Sequence, residues 1–223
     1  NVILIGRVGD DFFGHEILRQ LLNRGVKVNH IVKDRIGHTG IGHVRVSVEG
    51  EYSTVVINGA NSFLDTDQID GAILQGIDAS FVLMNYEVLS DVVHYAARKF
   101  RELGIQTVIN LSPIADGITY SVECADYLIT NEDEARAVLG THEQSTQVLA
   151  EMLKKQGAKN VIITRGSKGV FAIDLGQLMR RRHRDARAGH AEGMAKRDRA
   201  AVRIDALVVI RDPEHAEHGE TLA

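Results

Sequence analysis

Short runs of apolar, β-branched residues alternate with segments whose apolar positions recur every three to four residues through the first three quarters of the chain. This alternation predicts a parallel sheet with crossover helices. Val2 to Ile5 reads as a first strand, and Phe13, Ile17, Leu18, Leu21 and Leu22 form one face of a helix that stops at Gly25. Ser80 to Met84, Thr107 to Asn110, Asp126 to Thr130 and Asn160 to Thr164 read as further strands. Helical periodicity fills Val88 to Leu103, Asn131 to Leu139 and Thr146 to Gln156.

Residues 28–57 interrupt that rhythm with consecutive strands, Val28 to Val32, Ile41 to Val48 and Ser53 to Ile57, around a turn at Glu49-Gly50-Glu51. Two readings are open: an antiparallel extension standing off the main sheet, serving as a lid or dimer surface, or an antiparallel edge of that same sheet. The organisation expected is an α/β domain over 1–175, with lid-like strands at 28–57, followed by a divergent tail over 176–223. In the tail Asn, Ser, Phe, Tyr and Cys vanish and Arg, Ala and His dominate from Arg180 on; only Ile204 to Ile210 looks like a strand.

Composition narrows the function. A formal net charge of -4 gives no support for nucleic-acid binding. No apolar run reaches the ~18 to 20 residues of a membrane span, and the start lacks the order of a signal peptide. The single cysteine, Cys124, excludes an internal disulfide, fits a reducing cytoplasm and reads as a packing residue. The ten histidines show no metal-ligand spacing. Asn1 stands where a strand is already under way, which predicts a chain cut from within a longer protein.

The chemistry concentrates at strand ends. Asn131 and Glu134 fall on the first turn of a helix that follows a strand. They read either as a capping box or as a phosphate donor with a carboxylate acting through water on magnesium. Thr164-Arg165-Gly166-Ser167-Lys168-Gly169 follows the next strand; its glycines permit close backbone approach to a ligand, and Arg165 or Lys168 can face phosphates. The bland alternative is a glycine-rich hairpin. Glu87 is a candidate for hydrogen-bonding a polar substrate or a solvated loop carboxylate, Asp10-Asp11 reads as a helix cap, and Asn110 to Pro113 shapes a crevice at another strand end. Neither a dinucleotide-binding fingerprint after the first strand nor a P-loop is present.

Val8-Gly9-Asp10-Asp11-x-x-Gly14, Thr39-Gly40, Gly59-Ala60-Asn61, Glu87, Asn110-x-x-Pro113, Asn131-Glu132-Asp133-Glu134-Ala135 and Thr164 to Gly169, in this order, resemble the ribokinase branch of the PfkB carbohydrate kinases. The resemblance covers about residues 1–174. It implies a three-layer ribokinase-like α/β sandwich with a mainly parallel sheet and a small β-lid, incomplete at both ends. It also implies ATP and magnesium as cosubstrates, a monovalent cation as a further candidate, and transfer of the γ-phosphate to a sugar hydroxyl, ribose being favoured. Glu87 would then contact the sugar; Asn131 and Thr164, Arg165, Gly166, Ser167, Lys168 and Gly169 would hold the nucleotide; Glu134 would serve the magnesium indirectly. Lid strands in this family often form a homodimer contact, so 28–57 is expected to do both.

Two family elements are missing from the 223 residues: the N-terminal sugar-binding segment and the Gly-Ala-Gly-Asp signature. That signature would supply an anion hole and the base that takes the sugar hydroxyl proton. Asp185, Asp198 and Asp205 lack its setting, and Gly189-His190-Ala191-Glu192-Gly193 is no substitute. The tail is expected to be an out-of-frame reading of a GC-rich gene, with a genuine basic extension as the alternative. No catalytic residue is assigned, and the rival to an enzyme is a non-catalytic nucleotide- or sugar-binding module derived from one.

Overall fold

A computed structural model describes residues 1–48, 52–115, 118–174, 199–202 and 206–210. The chain runs β1 (Val2–Gly9), α1 (Phe12–Asn23), β2 (Lys27–Asp34), β3 (Ile41–Val46), β4 (Tyr52–Ile57), α2 (Thr66–Leu74), β5 (Phe81–Asn85), α3 (Ser90–Glu102) and β6 (Gln106–Asn110). It continues with β7 (Tyr127–Asn131), α4 (Glu132–Leu139), α5 (Thr146–Lys155), β8 (Asn160–Thr164), β9 (Val170–Ile173), β10 (Arg199–Val202) and β11 (Ala206–Ile210).

The main sheet has the order β2-β1-β11-β5-β6-β7-β8-β9. The pairs β1–β2, β5–β6, β6–β7 and β7–β8 are parallel, while β8–β9 and both pairings of β11 are antiparallel. From β1 the chain steps outward to β2, whereas from β5 it steps the other way through β6 and β7 to β8. With right-handed crossovers those opposite steps place α1 on one face and α3 to α5 on the other, which makes three layers.

Helix α3 shows why these residues fold this way. Its buried positions Val92, Val93, Ala96, Ala97 and Phe100 form one stripe, and Phe100 is fully buried against the sheet residues Val82 and Ile109 in the same core. Helix α2 has no comparable stripe: only Ile69 and Ala72 are buried, so its apolar signal is too short to read from sequence. The Asp65 side chain, accepting from Gln68 N–H at 2.8 Å, marks its start. Cys124 packs in the core at 7% exposure.

The three strands expected over 28–57 do not form one unit. Strand β2 belongs to the main sheet as the parallel edge partner of β1. Only β3 and β4 stand apart, as an antiparallel pair joined by β10 in a second sheet ordered β10-β3-β4. The correction follows from topology, because the α1 crossover returns the chain alongside β1 before it leaves for the second sheet. Of the tail, 199–202 and 206–210 are described strands; the remainder of 176–223, including Asp185, Asp198, Asp205 and Gly189 to Gly193, lies outside the described residues.

Candidate functional site

Four neighbouring strands finish on small polar residues at the carboxyl edge of the main sheet: Asn85 on β5, Asn110 on β6, Asn131 on β7 and Thr164 on β8. Asn85 stands opposite Asn110, and Asn131 stands opposite Thr164. The two motifs separated by about thirty residues in sequence are therefore cross-strand neighbours. An open α/β sheet binds ligands at this edge, where strand ends and helix starts leave backbone groups facing a crevice.

Asn131 is both the last residue of β7 and the N-cap of α4, so no loop separates strand from helix. Its Oδ1 accepts from Glu134 N–H at 2.8 Å, and Glu134 Oε2 accepts from Asn131 N–H at 2.8 Å. The capping box is thus formed. Thr130, buried at 1% exposure, donates its hydroxyl toward the same Glu134 oxygen at 3.4 Å, and Thr164 donates its hydroxyl to Thr130 O at 3.3 Å. Thr164 and Glu134 are in this way linked through one buried threonine.

The first turn of α4 carries three acids, Glu132, Asp133 and Glu134. Glu132 is held by the Thr146 hydroxyl, and Asp133 pairs with Arg136 at 2.7 Å. These carboxylates repel a bare phosphate at the helix start and favour one that arrives with a divalent cation. Among the described residues no three His, Cys, Asp or Glu side chains converge as a direct metal cage.

Beyond Thr164 the chain makes a short 3-10 turn at Gly166–Lys168 and returns as β9. Arg165 N–H donates to Gly169 O at 2.8 Å, which closes the loop, so the hairpin reading and the cradle share one geometry. Gly166 (φ 54°) and Gly169 (φ 83°) lie in the left-handed region, and a Cβ on either would meet open space. Only backbone conformation demands glycine here, and the bare backbone faces outward where a ligand can approach. Arg165 Nη2 donates to Lys168 O at 3.1 Å, while its Nε is buried without a partner, a donor oriented by the protein and left unused by it. Thr164, Ser167 and Lys168 are exposed.

Glu87 sits half-buried in the turn after β5, its N–H donating to Asn85 Oδ1 at 3.3 Å. It shares the carboxyl edge with Asn131 but lies two strand positions away, roughly 10 Å at ordinary strand spacing. The structure thus puts both groups on one rim without joining them. The adjacent Tyr86 is an anchor that the sequence pattern did not single out. Its ring is 3% exposed, its hydroxyl accepts from Ser121 N–H at 2.9 Å, and it meets His94 Nε2 at 3.3 Å. Burial pushes the Tyr86 phenol up to about 12, so it stays neutral and hydrogen-bonded.

A family model, the pfkB family carbohydrate kinases, matches residues 1–186. The chain belongs to the pfkB family of carbohydrate kinases. Among curated relatives it is 31% identical over 180 residues to a ribokinase of Schizosaccharomyces pombe, covering 76% of this chain and 55% of that protein. It is 27% identical over 175 residues to a deoxyribokinase of Salmonella typhi, covering 76% and 57%. Among solved structures, ribokinase from Giardia lamblia matches with a TM-score of 0.68 at 25% identity, covering 76% of this chain and 54% of that one. Arabidopsis thaliana ribokinase, solved with ribose and ATP, shares the fold with a TM-score of 0.64 at 20% identity, covering 76% and 57%. The fold is the ribokinase-like α/β sandwich, and the chain spans between half and three fifths of the length of these pfkB relatives.

Two further clusters escaped the sequence pattern. Arg7 donates to Asp34 Oδ2 at 2.9 Å and to Phe63 O at 2.6 Å, tying β1 to the segment before α2. Asp34 also accepts from Gly37 and Ile36 N–H groups, which hold its carboxyl below the usual carboxylate range together with the Arg7 guanidinium. Asp11, rather than Asp10, caps α1, and it also reaches Thr39. A sequence signal existed for these residues in the Gly9-Asp10-Asp11 and Thr39-Gly40 pairs, but nothing in their spacing joins them.

Proposed function

We propose that this chain derives from an ATP-dependent sugar kinase of the ribokinase type, and that its nucleotide half is the part present at β7, α4 and the β8–β9 loop. The observation that carries this reading is the pairing of Asn131 with Thr164 beside the open backbone of Gly166 and Gly169. ATP would lie along that edge, its phosphates facing the Thr164 to Gly169 backbone, Arg165, Ser167 and Lys168, with Asn131 donating at the start of α4. Glu134 would act on magnesium through water, and the ion would neutralise charge on the transferring phosphoryl group. Glu87 would hydrogen-bond the sugar, with Tyr86 fixing its turn. A monovalent cation is a further candidate for the same edge.

Ribose is the favoured acceptor, with deoxyribose the first rival because a deoxyribokinase stands among the relatives. The sequence carries no Gly-Ala-Gly-Asp segment to supply the base. Asn131 and Thr164 side chains orient charge but cannot take a proton from a sugar hydroxyl at neutral pH. The chain as given is therefore proposed to bind without turning over, the behaviour of a non-catalytic nucleotide- or sugar-binding module. The tail over 176–223 is proposed to be an out-of-frame product, and DNA sequencing past codon 175 tests this: absence of Gly-Ala-Gly-Asp from both other frames rejects it. The lid strands, with Val55 and Ile57 exposed, are proposed as the contact of a homodimer in the cytoplasm.

Isothermal titration with ATP and Mg2+, with ATP alone and with ribose, paired with an ADP-release assay, tests the reading. Expected are magnesium-dependent ATP binding and no ADP release above the no-enzyme rate. Ribose-dependent turnover would overturn the missing-base argument, and failure to bind ATP at millimolar concentration would overturn the nucleotide site itself.

A further inference from the structure

Both strands of the second sheet leave the core through a single collar. On the incoming side Thr39, 2% exposed, donates its hydroxyl to Asp11 Oδ1 at 2.7 Å and its N–H to Asp11 Oδ2 at 2.8 Å. Gly14 N–H donates to Asp11 Oδ1 at 2.8 Å, and Gly9 N–H donates to Thr39 Oγ1 at 3.0 Å. One carboxylate therefore joins the end of β1, the start of α1 and the root of β3. The backbone is as close as the hydrogen bonds imply. A Cβ on Gly9 would lie 2.5 Å from Thr39 N, and one on Gly14 would lie 2.1 Å from Gly9 O.

The outgoing side presses against the same segment. Ala60 N–H donates to His38 O at 2.7 Å, and a Cβ on Gly59 would lie 2.2 Å from that oxygen. At Gly40 a Cβ would meet Asn61 Nδ2 at 2.6 Å and Asn58 O at 2.8 Å. Residues 38–40 are thus gripped between Asp11 and the 58–61 turn, while β3 and β4 beyond them carry exposed Val46, Val55 and Ile57. Beyond the collar β3 and β4 pair with each other and, through β3, with β10, and not with the main sheet.

We propose that Asp11 and Thr39 are positioning residues that fix the attitude of the β10-β3-β4 sheet relative to the main sheet, the Asp11 carboxylate acting as a clamp at its root. The clamp stands on geometry that is independent of nucleotide or sugar, and its role in orienting the lid over substrate rests on the kinase reading above.

Hydrogen–deuterium exchange by mass spectrometry on the full chain tests the clamp without any activity assay. Thr39→Val removes the hydroxyl at nearly constant volume, Thr39→Ser keeps it, and Asp11→Asn keeps one acceptor oxygen and the cap on Gly14. Expected is a rise of about tenfold in exchange within 41–46 and 52–57 for Thr39→Val, with 81–85, 106–110 and 127–131 unchanged. Thr39→Ser should stay within about twofold of the parent chain. Equal behaviour of the Val and Ser variants, or a rise spread evenly over the main sheet, overturns the proposal. If Thr39→Val does not fold, the same comparison is read from Asp11→Asn, whose failure to loosen 41–46 and 52–57 selectively likewise overturns it.

Discussion

Asn131 is asked to cap α4 and to face nucleotide phosphate, and two substitutions separate these duties. Asn131→Ala removes the acceptor that holds Glu134 N–H at 2.8 Å and leaves the backbone N–H of residue 131 bonded to Glu134 Oε2. Loss of such a cap costs about 1 kcal/mol, and the half-buried donor left behind raises this toward 2 kcal/mol. For a chain of this size that is a fall in Tm of roughly 2 to 8 °C. Asn131→Asp keeps a capping oxygen in place and adds a favourable charge at the helix start, so its Tm should match the parent's within about 1 °C. It also sets a fourth carboxylate beside Glu132, Asp133 and Glu134. A charge about 4 Å from a phosphate oxygen is worth about 1 to 4 kcal/mol near a protein surface, so the Kd for ATP without magnesium should rise at least about fivefold. Thermal melts read the first effect and calorimetric titration the second. Unchanged ATP affinity in Asn131→Asp would refute the nucleotide contact. An unshifted melt in Asn131→Ala would refute the cap.

Other expectations follow from particular contacts. Phe100→Ala empties a fully buried core position and should cost about 3 to 5 kcal/mol by urea denaturation. Gly169→Val forces a β-branched residue to φ 83° in open space, so it should cost about 1 to 2 kcal/mol through backbone strain and weaken ATP binding; unaffected ATP binding would remove Gly169 from the site. The Asp34 carboxyl is held low by Gly37 and Ile36 N–H groups and by Arg7. Its stabilising effect is complete above the unfolded value near 3.9 and is lost as pH falls through the lower folded value. Urea midpoints of Asp34→Asn and parent should therefore differ above the unfolded carboxylate value and converge as pH falls through the lower folded one. Val55→Asp combined with Ile57→Asp should convert a homodimer to monomer in sedimentation with little change in Tm; a parent chain that is already monomeric rejects the lid contact.

The main-sheet strands and α3 to α5 were legible because each carries enough apolar periodicity to declare itself, as Val92 to Phe100 does in α3, whereas β10, four residues opening on Arg199, was not read as a strand. Helix α2 was not, since Ile69 and Ala72 alone cannot outvote the polar residues around them. The assignment of β2 failed for a different reason: residues 28–32 show strand character, but which sheet a strand joins depends on the handedness of the preceding crossover. At the carboxyl edge the sequence named Asn131, Glu134 and Thr164 to Gly169 one by one, and register brought them together. Tyr86, Arg7 with Asp34, and Asp11 with Thr39 stayed hidden because their partners are distant in the chain and of ordinary type.

Strand β11 gives the molecule a folding problem as well as a sheet. Val2 pairs with Ile210, and the same short strand completes the hydrogen bonding of β5 through Phe81 to Leu83. During synthesis β1 and β5 emerge long before their shared partner, leaving two apolar strand edges open on the nascent chain. Such a late, long-range closure slows folding and lengthens the period in which those edges can pair with another molecule. The abundance of intact protein in a cell should then depend on chaperone supply and growth temperature more steeply than its equilibrium stability alone would suggest.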